Sequence, residues 1–167
     1  MRFPLALSMS ALLLGTGCSA TTGELDTVAD SAKLPIPDVK WDPQRPDETV
    51  DWSGEACVQM AMGYCGRATT QRRINRAGQP DHPDLYEEDI DKALAGLGVK
   101  FVPFESNGEA KAFISWIQDH LRSGHPVVCG CKTYPDQHRD WSVDGFVLAV
   151  GFDTNGLWLN TQLYTAS

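Results

Sequence analysis

The chain has 167 residues, with 14 lysines and arginines against 22 aspartates and glutamates, which gives a formal net charge of −8. An acidic surface repels phosphate backbones, so nucleic acid is excluded as an expected partner. About 115 residues remain after the two N-terminal segments described next, which is enough for one domain with one core.

The first 17 residues predict an export signal. Arg2 is their only charge, and residues 4–15, PLALSMSALLLG, form an apolar run too short to span a membrane. The stretch LLLGTGCSA resembles the cleavage site of bacterial lipoproteins, in which the cysteine after the cut receives the lipid. The resemblance implies lipidation of Cys18 and a protein anchored to a membrane of the bacterial cell envelope, on the exported side. Secretion with cleavage before an unmodified Cys18 is the alternative.

Residues 18–50 are polar and contain four prolines, and they show no periodic apolar pattern. Such a composition buries too little surface to order itself. We therefore expect a disordered tether over residues 18–50 and a single folded domain over residues 51–167.

Helical patterns fill the first part of this domain. Residues 53–65 predict a buried helix, because the stretch ACVQMAMGYC contains one strongly polar residue, Gln59. A second helix is expected after the threonine pair at 69–70, and a third from Asp84, a natural N-cap before an acidic first turn. A short strand at 99–104 and an amphipathic helix at 109–124 follow.

Strand patterns fill the last part. A strand is expected within residues 125–134, and residues 145–152, GFVLAVGF, contain no polar side chain. An unbroken apolar run is typical of a central strand that is covered on both faces. The Asn155–Gly156 pair favours a hairpin turn into a last strand at 157–162. Helices first and strands last predict an α+β fold, with the buried helix packed on an antiparallel sheet.

Two blocks of the sequence resemble a known family. They are WSGEACVQMAMGYCG at residues 52–66 and VDGFVLAVGFDTNGLWLNTQ at residues 143–162. Both are similar to the bacteriocin-processing cysteine peptidases that cleave double-glycine leaders, a papain-like family. The resemblance covers about residues 47–162. It implies a papain-like fold, in which the central helix begins at the catalytic residue and lies against the C-terminal sheet.

The resemblance also assigns the catalytic positions. The nucleophilic cysteine of the family falls on Ser53, its histidine on Gly145 and its orienting Asp or Asn on Asn160. The glutamine that stabilises the oxyanion falls on Asp47. Asn160 alone retains a residue of the expected type.

The substitutions at Ser53 and Gly145 predict an inactive homologue. A helix N-terminus lowers the pKa of a thiol, but a serine hydroxyl is too basic to ionise without a neighbouring base. Glycine supplies no base, and Ser53 has an ordinary structural role open to it as an N-cap. The leading hypothesis is therefore a pseudoenzyme that binds a peptide or an envelope protein.

Two alternatives remain open at this point. Cys57, His138 and Asn160 supply the residue types of a catalytic triad, which would make the protein an active cysteine peptidase or amide hydrolase. Against it, cysteine inside an apolar helix is usually a small buried hydrophobe. The second alternative is a structural protein of the envelope.

The four internal cysteines predict a disulfide or a set of buried thiols. Their spacing within one helix or one strand excludes bonds inside each pair, so any bridge would join the helix to the strand. The alternative is four free thiols. No histidine pair has metal-ligand spacing, so neither a metal nor another cofactor is expected. The cysteines concerned are Cys57, Cys65, Cys129 and Cys131.

Overall fold

The computed structural model describes residues 30–46, 50–105, 108–132, 140 and 143–161. These residues form four helices and one antiparallel sheet, so the predicted α+β class is confirmed. In chain order the elements are β1 (Ala32–Lys33), α1 (Ser53–Tyr64), α2 (Gln71–Gly78), α3 (Glu87–Gly96), α4 (Ala110–Arg122), β2 (Val127–Cys131), β3 (Gly145–Asp153) and β4 (Gly156–Asn160). In this part of the chain no helix is long and apolar enough to cross a membrane.

The central strand is β3, as its apolar sequence predicts. Ala149 of β3 pairs with Val127 of β2 on one side and with Leu159 of β4 on the other. The two-residue strand β1 lies on the same side of β3 as β2, beyond the end of β2. There Ala32 pairs with Phe152. The residues of β3 from Gly145 to Phe152 are all buried, and both α1 and α4 pack against this strand.

The predicted strand at 99–104 is wrong, because these residues form no regular structure. α3 ends in a tight turn at Gly98, whose φ is +65°, and the amide of Val99 donates to the carbonyl of Leu94 over 2.8 Å. Val99 then packs into the core, and Phe104 packs edge-on against Phe113 of α4. Contacts with helices have replaced the strand pairing that the apolar pattern suggested.

The predicted N-cap of the third helix is also wrong. α3 begins at Glu87, and Tyr86 is its N-cap, with the Tyr86 amide donating to the Asp89 carboxylate over 3.2 Å. Asp89 is three residues after Tyr86, the position from which a carboxylate forms a capping box with the N-cap residue. Asp84 lies outside the helix and lines a pocket described below.

Part of the predicted tether belongs to the fold. Residues 30–46, called here the N-terminal segment, add β1 to the sheet and bury Leu34 and Ile36 in the core. The Leu34 amide donates to the Val150 carbonyl over 2.7 Å, and the Asp42 amide donates to Gln71 of α2 over 2.8 Å. Leu34 and Ile36 each precede a proline, which favours the extended backbone that a strand needs. The domain therefore begins before the predicted boundary at residue 51.

The predicted disulfide between helix and strand is not formed. Cys129 and Cys131, the two cysteines of β2, are free thiols, and so is Cys57 of α1. Cys57 and Cys129 are buried, and Cys131 is half-buried. The alternative of free thiols therefore holds for these three cysteines but not for Cys65, which is disulfide-bonded.

Candidate functional site

A pocket of about 360 Å³ lies where the start of α1 meets the start of β3. Ser53 and Gly145, which the family resemblance assigned to nucleophile and base, both line it. One wall is the segment from Asp84 to Glu88, which leads into α3. The structure thus brings together two positions that are 92 residues apart in the sequence.

Ser53 is held by hydrogen bonds on both its backbone and its side chain. It is 2% exposed. Its amide donates to Asp51 Oδ1 over 2.7 Å, and its hydroxyl oxygen accepts from the Phe146 amide over 2.9 Å. Asp51, not Ser53, is therefore the residue whose side chain caps the start of α1. The Ser53 hydroxyl joins the first turn of this helix to the start of β3.

This arrangement differs in two respects from that of an acyl-transfer site. A catalytic amide must be available to the oxyanion, but the amide of Ser53 is already paired with Asp51. Gly145 offers no imidazole to take the proton of the Ser53 hydroxyl. The pocket is a concave site with no activated nucleophile among its described residues.

Asn160 lies away from the pocket. It pairs with Leu148, three residues further along β3 than Gly145, which corresponds to about 10 Å. Its side-chain nitrogen donates to the Ile36 carbonyl over 2.9 Å and lies 3.5 Å from the Met60 sulfur. The structure therefore does not bring Asn160 together with Ser53 and Gly145. Its amide fastens the N-terminal segment to the core.

The alternative triad has one member in the core and one outside the described residues. Cys57 is completely buried within α1 and does not line the pocket. Burial raises the pKa of its thiol well above the usual value, and the neighbouring Cys129 and Cys131 raise it further. His138 falls outside the described residues. Because the thiolate is the reactive form, the surroundings of Cys57 disfavour a role as nucleophile.

Carboxylates dominate the lining of the pocket. Burial raises the pKa of Asp51, and the Asp144 carboxylate adds to this effect, while hydrogen bonds from Ser53 oppose it. Burial also raises the pKa of Asp84. Asp144 is paired with Lys132, whose Nζ lies 3.2 Å from its carboxylate. The acidic lining residues are Asp51, Asp84, Glu87, Glu88, Asp140 and Asp144, and the apolar ones include Leu85, Val143 and Phe146.

Glu55 supports the pocket from inside the protein, and the sequence analysis missed it. It is completely buried on α1, and its Oε1 accepts from Asn75 Nδ2 over 2.8 Å and from the Leu85 amide over 3.1 Å. Burial raises its pKa to about 8. The sequence did contain a signal for this site, namely a single carboxylic acid in an otherwise apolar helix. Such a residue is buried only where polar partners surround it, so it indicates a buried polar contact.

The described residues contain no group of three or more histidine, cysteine or acidic side chains that could hold a metal ion. Comparison with known protein families, with curated proteins and with solved structures finds no match for this chain. The chemistry of the pocket itself must therefore carry any functional proposal.

Proposed function

We propose that this protein is an exported, lipid-anchored domain of papain-like fold that has no peptidase activity and binds a peptide segment of an envelope protein. The supporting observation is the state of Ser53. Its amide is used in a hydrogen bond to Asp51 at the start of α1, and its hydroxyl accepts the bond that holds α1 against β3, while the pocket beside it stays open.

The dimensions and lining of the pocket favour a side chain as the bound group. About 360 Å³ is at the lower end of the range of small-ligand sites. Leu85, Val143 and Phe146 supply apolar surface, and the carboxylates of Asp51 and Asp84 supply negative charge. A lysine or arginine side chain matches both, because its methylene stem packs on apolar surface and its charged end pairs with carboxylates.

The proposed anchor places this pocket at a membrane surface. From Cys18 to Ala32 the chain can extend at most about 50 Å. A lipid on Cys18 would therefore keep the domain close to the bilayer, where its partner would be another envelope component. This part of the proposal depends on the resemblance of LLLGTGCSA to lipoprotein cleavage sites.

Calorimetric titration with two matched peptides tests the binding function. Acetyl-Ala-Lys-Ala-Ala-Lys-Ala-amide is expected to bind, and the same peptide with glutamate in place of lysine is not. Substitution of both Asp51→Asn and Asp84→Asn should weaken binding at least about tenfold, because two favourable charge pairs are lost. Glu105→Gln is the control, since it removes one charge from an exposed residue that does not line the pocket.

The same mixtures, analysed by mass spectrometry after a long incubation, test the lack of activity. Both peptides should remain intact. Cleavage by the natural protein that stops on Cys57→Ala would overturn the proposal in favour of a thiol peptidase. Equal binding of the lysine and glutamate peptides would overturn the assignment of a positively charged ligand.

A further inference from the structure

Glu55 is a buried carboxyl group whose position is not explained by packing alone. It is 0% exposed, and its Oε2 has no hydrogen-bond partner among the described residues. A glutamine would accept the same two hydrogen bonds without any titration. The ionisable group at this position is therefore a candidate for a role that depends on gaining or losing a proton, which an amide cannot perform.

The contacts of Glu55 connect it to one wall of the pocket. Its Oε1 accepts from the amide of Leu85, and Leu85 lines the pocket. Asn75, which also donates to Glu55, donates to the Pro83 carbonyl over 3.0 Å. The indole nitrogen of Trp52 donates to the same carbonyl over 2.9 Å. Residues 83–85 are thus fixed between α1 and α2 by a network that includes Glu55.

The elements packed against α1 carry several titratable groups. The segment of residues 83–85 contributes Asp84, whose negative charge acts together with burial to disfavour the ionised form of Glu55. α3 contributes Asp89, whose carboxylate lies 2.8 Å from Lys92 Nζ and 3.3 Å from His82 Nε2. α2 contributes the neutral amide of Asn75, and β3 has no titratable side chain between Gly145 and Phe152. On the far side of α1, β2 contributes the thiols of Cys129 and Cys131.

We propose that Glu55 regulates the pocket: it keeps its proton while the pocket is empty and releases it to solvent when a positively charged group binds beside Asp84. A cation at Asp84 neutralises the charge that opposes ionisation of Glu55, and its field favours the carboxylate. By reciprocity, removal of the Glu55 proton strengthens binding of the cation. This inference rests on the proposed function of the pocket.

The test compares the natural protein with Glu55→Gln, which keeps the acceptor for Asn75 and the Leu85 amide. The affinity for acetyl-Ala-Lys-Ala-Ala-Lys-Ala-amide is measured between pH 6.5 and pH 9, where lysine stays charged. The natural protein should gain affinity with rising pH, on the order of tenfold for two charges about 10 Å apart. Glu55→Gln should lack this gain. Parallel profiles for the two proteins would overturn the proposal.

A second measurement follows the amide resonance of Leu85 by NMR without ligand. An inflection near pH 8 is expected in the natural protein and should be absent in Glu55→Gln. If the lysine peptide binds with the same pH profile in both proteins, the regulatory role fails and the binding function stands. If neither protein binds the peptide, both proposals fail, and an inflection of the Leu85 resonance would then report only a buried proton.

Discussion

The start and the middle of β3 adjoin residues that the family resemblance groups together, and the structure gives them different surroundings. At the Gly145 end, Ser53 lies beside an open pocket with an acidic lining. Further along the strand, Asn160 pairs with Leu148 and is hydrogen-bonded to Ile36, and β1 pairs with Gly151 and Phe152. The side chains of Ser53 and Asn160 both make structural hydrogen bonds, but only Ser53 lies beside a cavity. The presence of the cavity, and not the identity of the residues, separates a candidate site from part of the framework.

The largest expected effect lies at the Phe152 end. A Cβ on Gly151 would come within 2.6 Å of the Ala32 carbonyl oxygen and 3.0 Å of Lys33 Cα. Gly151→Ala should therefore separate β1 from the sheet and lower the free energy of unfolding by about 3 kcal/mol. Urea denaturation measures the loss, and hydrogen exchange of the Leu34 amide locates it.

Gly63→Ala is the control for this substitution, because a Cβ at Gly63 meets nothing within 4 Å. Gly63 lies in the last turn of α1, so alanine there should stabilise the protein by about 0.5 kcal/mol or less. If Gly151→Ala were as harmless as Gly63→Ala, the N-terminal segment would not be an integral part of the sheet.

A smaller effect concerns Glu55, behind the pocket. Its pKa of about 8 in the folded protein exceeds the usual 4.5, so between these values the folded state holds a proton that the unfolded state has lost. Rising pH therefore favours unfolding, and the stability gained from this proton is fully present below pH 4.5 and is lost by pH 8. From pH 5.5 to pH 7.5 the natural protein should lose about 2 kcal/mol of stability relative to Glu55→Gln.

Urea denaturation of both proteins at the two pH values measures this difference. The comparison with Glu55→Gln cancels the contributions of other acidic groups, Asp51 and Asp84 among them. If the free energy of unfolding depended on pH equally in the two proteins, Glu55 would be ionised in the folded protein. The core beside the pocket would then tolerate a buried charge.

The smallest effects compare Ser53 with Asn160. Ser53→Ala leaves the buried amide of Phe146 without its acceptor and should cost about 2 kcal/mol. Asn160→Ala should cost about 1 kcal/mol, since Asn160 is half-buried and water can replace part of its contact with Ile36. Thermal unfolding of the two variants gives the order. The reverse order would show that the link between the N-terminal segment and β4 matters more than the link between α1 and β3.

Sequence reasoning located the elements whose burial follows from their own composition. The apolar stretch after Ser53 became α1, and the run from Gly145 to Phe152 became the central strand, because neither has a polar face to expose. Ser53 and Gly145 lie at the starts of these two elements, and both line the pocket.

The missed features depend on partners that are far away in the sequence. Leu34 and Ile36 show no periodic pattern. They are buried because β3 extends past the end of β2, so that the N-terminal segment can pair with the free edge of β3. Glu55 is tolerated in the core because Asn75, 20 residues later, donates to it. The position of Asn160 depends on an irregularity in the pairing of β3 with β4 between Ala149 and Gly151, which shifts the register of β4. Backbone irregularities of this kind leave no compositional trace.

The place of β1 has a consequence for how large partners approach the protein. The N-terminal segment joins the sheet opposite Gly151 and Phe152, while the pocket opens beside Gly145, about 20 Å away along the same strand. A molecule attached through its N-terminus is therefore held at one end of its central strand, and its pocket lies at the other end. With the proposed anchor and the proposed ligand, attachment and ligand entry would be at opposite ends of the domain, and a bulky partner would reach the pocket without displacing the N-terminal segment.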